Sequence, residues 1–135
     1  MLVSDFVDHV TGWRIIAEPT ALDSAPWPAG SQVVRISPDD AFVIGESEPT
    51  VPGDRFAIIT PERGFSMLAV AAGDVAAIAD EHIEWLLPTV RPALAQGQIA
   101  GVPAKLVIAA DGSALLLVGS AARHELQARL RGVGA

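Results

Sequence analysis

The order of patterned segments in this 135-residue chain, strands, a helix, strands, a helix, predicts an α+β fold: a mainly antiparallel sheet built from hairpins, with two helices on one face. Three observations carry that prediction. The stretch Gly101–Gly132 reads as strand, turn, strand and helix, because Asp111-Gly112 lies between two apolar runs and supplies the positive φ of a tight primed turn at low cost. Apolar residues recur at helical spacing from Val75 to Leu86 and again from Ala122 to Leu130. Elsewhere, short β-branched and aromatic runs are punctuated by Pro, Gly and Asp.

Taken in order, Ser4–Val10 reads as a short helix and Gly12–Ala17 as a strand. Glu18–Ser31 carries Pro19, Pro26, Pro28 and Gly30 without apolar periodicity and reads as an extended connection. Residues 1–31 are therefore expected to form an N-terminal arm or edge strand with a Pro-rich connection, ahead of a single α+β domain over 32–135. Gln32–Gly45 is a hairpin hinged at Ser37-Pro38-Asp39-Asp40, whose residues suit a type I turn. Glu46–Asp54 is a polar surface loop, and Arg55–Thr60 with Phe65–Val70 reads as a further hairpin about Pro61–Gly64.

The central helix is expected to open at Asp74 as N-cap, to place Val75, Ile78, Ala79, His82, Trp85 and Leu86 on one face, and to stop at Pro88. Arg91–Gly101 reads as a connector with one helical turn. The closing helix has Ser120 as N-cap, Ala122, Leu126 and Leu130 on its buried side, Glu125 four residues before Arg129, and Gly132 as its stop.

Composition narrows the class of function. A chain of this length buries roughly two-thirds of the surface its unfolded form exposes, enough for a self-sufficient core. Half its residues are hydrophobic, yet charges, Pro or Gly break every apolar run well short of the ~20 residues needed to span a bilayer, so no membrane association is expected. The first ten residues lack a basic region followed by an apolar one, which makes the cytoplasm the expected location. With no cysteine, disulfides, thiolate nucleophiles and Cys-based metal sites are excluded. The net charge of −7 is uneven: residues 1–80 hold twelve acids against four arginines, and 81–135 hold four acids against five bases. An acidic first half and a single lysine, Lys105, argue against nucleic-acid binding, which rests on neutralising phosphates.

Few residues offer chemistry. His9, His82 and His124 are far apart in sequence and match no local metal motif, and the neighbours of His82 in Asp80-Glu-His-Ile-Glu84 point to different sides of a helix. Asp39-Asp40 follows a proline, where adjacent acids serve as turn caps more often than as an acid–base pair. Ser66, Ser113 and Ser120 lack a Gly-x-Ser-x-Gly elbow, and Gly97-Gln-Ile-Ala-Gly101 lacks the Lys-Ser/Thr of a phosphate cradle. No catalytic residue, metal or cofactor is expected. Trp27, between two prolines, reads either as a partner anchor or as a loop aromatic folded onto the core.

Several segments in their order resemble a known layout: Val34-Arg-Ile-Ser-Pro-Asp-Asp-Ala-Phe-Val-Ile44, a strand pair, Ala72-Gly-Asp-Val-Ala-Ala-Ile78, Gln96-Gly97 ahead of Val102–Ile108, and Leu115-Leu-Leu-Val-Gly-Ser-Ala-Ala-Arg-His-Glu-Leu126. Over roughly residues 32–131 the order is similar to the gamma subunit of heterotetrameric sarcosine oxidase and, more distantly, to the folate-binding domain of the glycine-cleavage aminomethyltransferase. The sequence departs from the family pattern at Glu84-Trp-Leu-Leu-Pro-Thr-Val-Arg-Pro-Ala93 and at Gly119-Ser120, where the family's surface contacts lie, so no ligand-binding residue is carried over. The resemblance implies an accessory chain that assembles, with itself or another subunit, in amine oxidation. The alternative is a small-molecule binding module with a pocket between the central helix and the 91–101 connector, lined by Trp85 and anchored on anions by Arg91.

Overall fold

A computed structural model of the chain describes residues 6–131; the first two residues of the expected Ser4–Val10 helix and the expected stop at Gly132 lie outside them. The fold is α+β, with two antiparallel four-stranded sheets in place of the single sheet expected. The described residues divide into two compact units, one of residues 10–63 and the other of residues 6–9 together with 64–131. This replaces the expected boundary after residue 31. The segment read as an arm or edge strand instead supplies an interior strand of the first sheet.

In the unit of residues 10–63 the elements are β1 (Gly12–Ile16), α1 (Pro19–Asp23), β2 (Gln32–Ser37), β3 (Asp40–Ile44) and β4 (Ile58–Glu62), and the strand order is β2-β3-β1-β4. Strands β2 and β3 form the predicted hairpin, with a register shift between Arg35 and Ser37. The face carrying Ile15, Val43, Val33 and Ile59 packs on Ala21 and Leu22 of α1 and on Val51. The Pro-rich connection thus contains a helix that its punctuation concealed: Pro19 stands at the first turn, where its missing N–H costs nothing. On the opposite face Arg14 pairs with Asp40, Nε to Oδ1 at 2.6 Å, and with Glu62 at 3.3 Å, so Asp40 neutralises a strand arginine. Asp39 instead accepts from the Ser37 hydroxyl in the turn.

In the other unit the elements are β5 (Phe65–Val70), α2 (Ala72–His82), β6 (Ala93–Ile99), β7 (Val102–Ile108), β8 (Ala114–Gly119), a 3₁₀ turn at Ser120–Ala122 and α3 (Arg123–Leu130), with strand order β5-β8-β7-β6. Leu68, Leu116, Leu106 and Ala95 stand in one row across the four strands. Val75 and Ile78 of α2 and Leu126 and Leu130 of α3 share their core, so both helices cover that face, as the sequence predicts.

Several local expectations change here. The residues expected as the end of an N-terminal helix are not helical: Val7 bridges Met67 at the outer edge of β5, with N–H···O bonds of 2.8 and 2.9 Å. Strands β4 and β5 do not form a hairpin, because β4 pairs with β1 and β5 with β8. Helix α2 begins at Ala72 after Ala71 as N-cap, leaving Asp74 inside the first turn. It ends at His82, and Ile83 is extended (φ −119°, ψ 118°), so Trp85 and Leu86 are not on the helix. The supposed connector 91–101 contains β6, turned into β7 by Ala100 and Gly101, both at positive φ (50° and 78°). That two-residue loop is the primed turn the sequence placed at Asp111-Gly112. There, Gly112 alone has positive φ, Gly112 N–H donates to Ala109, and Asp111 accepts from the N–H and hydroxyl of Ser113. Ser120 makes no side-chain cap on α3.

Candidate functional site

The chain that leaves α2 runs from Ile83 to Arg91 beside the helix, and a cleft of about 510 Å³ lies between them. Its helix wall is a single stripe, Ala72, Val75, Ala76, Ala79 and Asp80, spaced by three and one as neighbours on one helical face, with Ile83 just past the helix end. The other wall is formed by Glu84, Trp85, Leu86, Leu87 and Arg91. Trp85 donates its indole N–H to the Gln98 carbonyl at 3.0 Å. Arg91 donates Nε to the Pro88 carbonyl at 3.4 Å, and a Cβ added at Gly112 would stand 3.3 Å from its Nη1 and 3.4 Å from Cβ of Ala72 in α2.

Trp85 also borders a second recess of about 510 Å³ with Glu81, His82, Glu84, Gln98, Ala100 and Gly101. His82 is half-buried, 3.8 Å from Glu81, and its carbonyl accepts the Ala100 N–H. The wall between the two hollows depends on Gly97, because a Cβ there would stand 2.7–2.8 Å from three indole atoms. We expect Gly97→Ala to displace Trp85: the emission of Trp85 in a Trp13→Phe/Trp27→Phe background should shift to the red, while Gln96→Ala leaves it in place. An unshifted spectrum in Gly97→Ala would refute this packing.

Of the residues singled out from the sequence, Trp85 and Arg91 are brought to one cleft, whereas Trp27 packs on the core of the 10–63 unit. His9 and His124 are exposed. Among the described residues no group of three or more His, Asp and Glu could hold a metal ion. In the 10–63 unit, Ile16, Phe56 and Ile58 are exposed and border a hollow of about 300 Å³ with Glu18, Asp39 and Asp54, and Arg55 lies 4.7 Å from the Phe56 ring centre. Asp54 accepts from the N–H groups of Glu18 and Phe56, which lowers its pKa.

One polar cluster was invisible to sequence reasoning because its members lie 3 to 115 positions apart. Ser66 is fully buried and donates its hydroxyl to Asp8 Oδ1 at 2.7 Å. That bond uses its single proton, so in the 2.9 Å contact between Ser66 and Ser120 it is Ser120 that donates. Arg123 grips the same carboxylate with Nε at 2.9 Å and Nη2 at 3.0 Å. Ser120 also accepts the His9 N–H at 3.4 Å and donates its own N–H to Gly64 at 2.8 Å. The Ser66 hydroxyl and the Arg123 guanidinium both favour the charged carboxylate and hold the pKa of Asp8 below its ordinary value. A carboxylate so held is a weak base, and the cluster fastens residues 8 and 9 to the β5 and β8 ends.

The sign of its pH dependence follows. Because the folded pKa is below the unfolded one, the contribution is complete above the ordinary carboxylate range and is lost as pH falls through the folded value. Asp8→Asn should therefore be less stable than the wild type at pH 7, with a gap that narrows as pH falls toward 3. Urea midpoints across that range test this, and a gap independent of pH would contradict it.

No protein-family model matches the chain, and the curated proteins give no significant match. Among the described residues no helix is long and apolar enough to cross a membrane.

Proposed function

We propose that this chain is a non-catalytic accessory domain that works by associating with another protein subunit or with a second copy of itself, and that a sarcosine oxidase-like amine-oxidising complex is the first assembly to test. The observation that supports association is the segment between α2 and β6, where Leu86 is 96 % and Val90 82 % exposed. Burying a leucine or valine is worth about 1.5–3 kcal/mol, so a partner that covers both gains appreciably. The order of elements similar to the sarcosine oxidase gamma subunit supports the choice of complex. A non-catalytic role accords with the polar groups of the Asp8 cluster, which are spent on one another.

The test is purification of the tagged full chain from its own cells, with light scattering on the isolated protein, alongside Leu86→Glu/Val90→Glu. The wild type should bring down oxidoreductase subunits in fixed stoichiometry or self-associate. The double variant should lose this and keep its thermal midpoint, since neither side chain is packed. A monomer with no stoichiometric partner would sink the reading. A second reading, a small-molecule binding module, is favoured by the cleft along α2 with Trp85 and Arg91 on its wall.

A further inference from the structure

The cleft along α2 sorts its charges by position. Ala72, Val75, Ala76 and Ala79 make one helix stripe, Ile83 follows just past the helix end, and Leu87 is on the facing wall, so its body is apolar. Arg91 stands at the Ala72 end, since a Cβ added at Gly112 would lie 3.3 Å from its Nη1 and 3.4 Å from Ala72 Cβ. The same end carries the start of α2, whose first turn already holds the acid Asp74 against its positive end, so Arg91 is the cation that this end of the lining offers a ligand. The two carboxylates of the cleft, Asp80 and Glu84, lie at the other end; Asp80 is eight residues along α2 from Ala72, about 12 Å at 1.5 Å per residue.

From this we infer that the cleft binds a small aliphatic monocarboxylate, its carboxylate on Arg91 and its hydrocarbon body along Val75, Ala76 and Ala79. The inference rests on the binding-module reading and adds the ligand's chemistry to it. A cavity of about 510 Å³ lies within the ordinary range for small-molecule sites, which are apolar with a few polar groups fixing orientation. The guanidinium takes a carboxylate with paired N–H donors, whereas a second carboxylate at the far end would meet Asp80 and Glu84. The cleft therefore discriminates by charge number as well as by polarity.

Three eight-carbon probes separate these claims: octanoate, suberate, which carries a carboxylate at both ends, and the neutral octan-1-ol. Titration calorimetry and amide shifts of the full chain at pH 7 should show octanoate binding about tenfold tighter than either other probe, with shifts at Val75, Ala76 and Ala79. Arg91→Met should weaken octanoate about tenfold and leave octan-1-ol unchanged. Asp80→Asn/Glu84→Gln should improve suberate and leave octanoate as it was. Octan-1-ol binding in the cleft without a preference for octanoate, or octanoate binding indifferent to Arg91→Met, overturns the carboxylate assignment while the binding-module reading survives. No binding of any probe at millimolar concentration overturns both.

Discussion

Replacing Gly12 by alanine is expected to destabilise the 10–63 unit by about 3 kcal/mol, the upper part of the range for forced overpacking. Gly12 lies in β1, between Ile44 of β3 and Glu62 of β4. A Cβ at this position would stand 2.8 Å from the carbonyl oxygen of Val43 and 2.9 Å from Cζ of Phe42, and would overlap Phe42 Cε1 more severely still. Neither neighbour can give way. The carbonyl belongs to the ladder between β1 and β3, and the Phe42 ring is fully buried. The pressure to keep glycine here is therefore one of close approach within a strand, and it needs no unusual φ. At roughly 4–8 °C per kcal/mol for a small domain, the thermal midpoint should fall by more than about 10 °C. Fluorescence of Trp13 and Trp27 in a Trp85→Phe background follows the transition, with Gly30→Ala as a contrast, because nothing stands within 4 Å of a Cβ there and only its φ of 77° resists substitution. A Gly12→Ala midpoint within 2 °C of its parent would show that Phe42 does not pack against β1 as described.

Elements with local signals were legible in the sequence. The β2–β3 hairpin announces itself through Ser-Pro-Asp-Asp between apolar runs, and α3 through Leu126 and Leu130 with the Glu125–Arg129 pair, which the structure joins as an ion pair. What failed is where local pattern and long-range pairing disagree. Strands β4 and β5 adjoin in sequence like a hairpin, yet each finds its partner 42 or more residues away, and no local cue records that. Strand β6, Ala-Leu-Ala-Gln-Gly-Gln-Ile, holds one β-branched residue, at its end, and a glycine in its interior, so its propensity is poor. It is a strand because β7 pairs with it along its whole length, and Gly97 is explained by the Trp85 ring lying on it. Trp85 and Leu86 keep the helical period of α2 by coincidence, with no breaker before Pro88, although the helix stops at His82.

The site was half legible for the same reason. Trp85 and Arg91 could be singled out as an aromatic and a cation near the central helix, and both line the cleft. That the chain would turn back along α2 and bring Arg91 to the end of the cleft that holds Ala72 depends on the helix ending at His82, an end that the sequence places later. The Asp8 cluster draws on the N-terminal segment, β5, the 3₁₀ turn and α3, and nothing in any one segment calls for the others.

The second large effect is expected at Leu116. Its side chain is fully buried on β8, in register with Leu68 of β5 and Leu106 of β7, and it belongs to the core shared with α2 and α3. Leu116→Ala removes most of the side chain from a place where strands constrain the neighbours on both sides, so collapse around the void is limited. Truncations of this kind cost about 2–5 kcal/mol, from lost transfer energy and from the cavity left behind, and the poor scope for collapse argues for the upper half of that range. The substitution also discriminates between two ways the row could stabilise the sheet. If close packing across Leu68, Leu116 and Leu106 matters, Leu116→Ile, equal in volume but different in branching, should cost under about 1.5 kcal/mol, and a Leu68→Ala/Leu116→Ala double variant should differ from the sum of its parts because the two residues touch one void. If burial of apolar area alone matters, the two alanine effects should add. Urea unfolding of the wild type, Leu116→Ala, Leu116→Ile, Leu68→Ala and the double alanine variant, read at constant m, decides between them, and a Leu116→Ala cost below about 1 kcal/mol would mean that the row across β5, β8 and β7 is not the packed centre of the sheet.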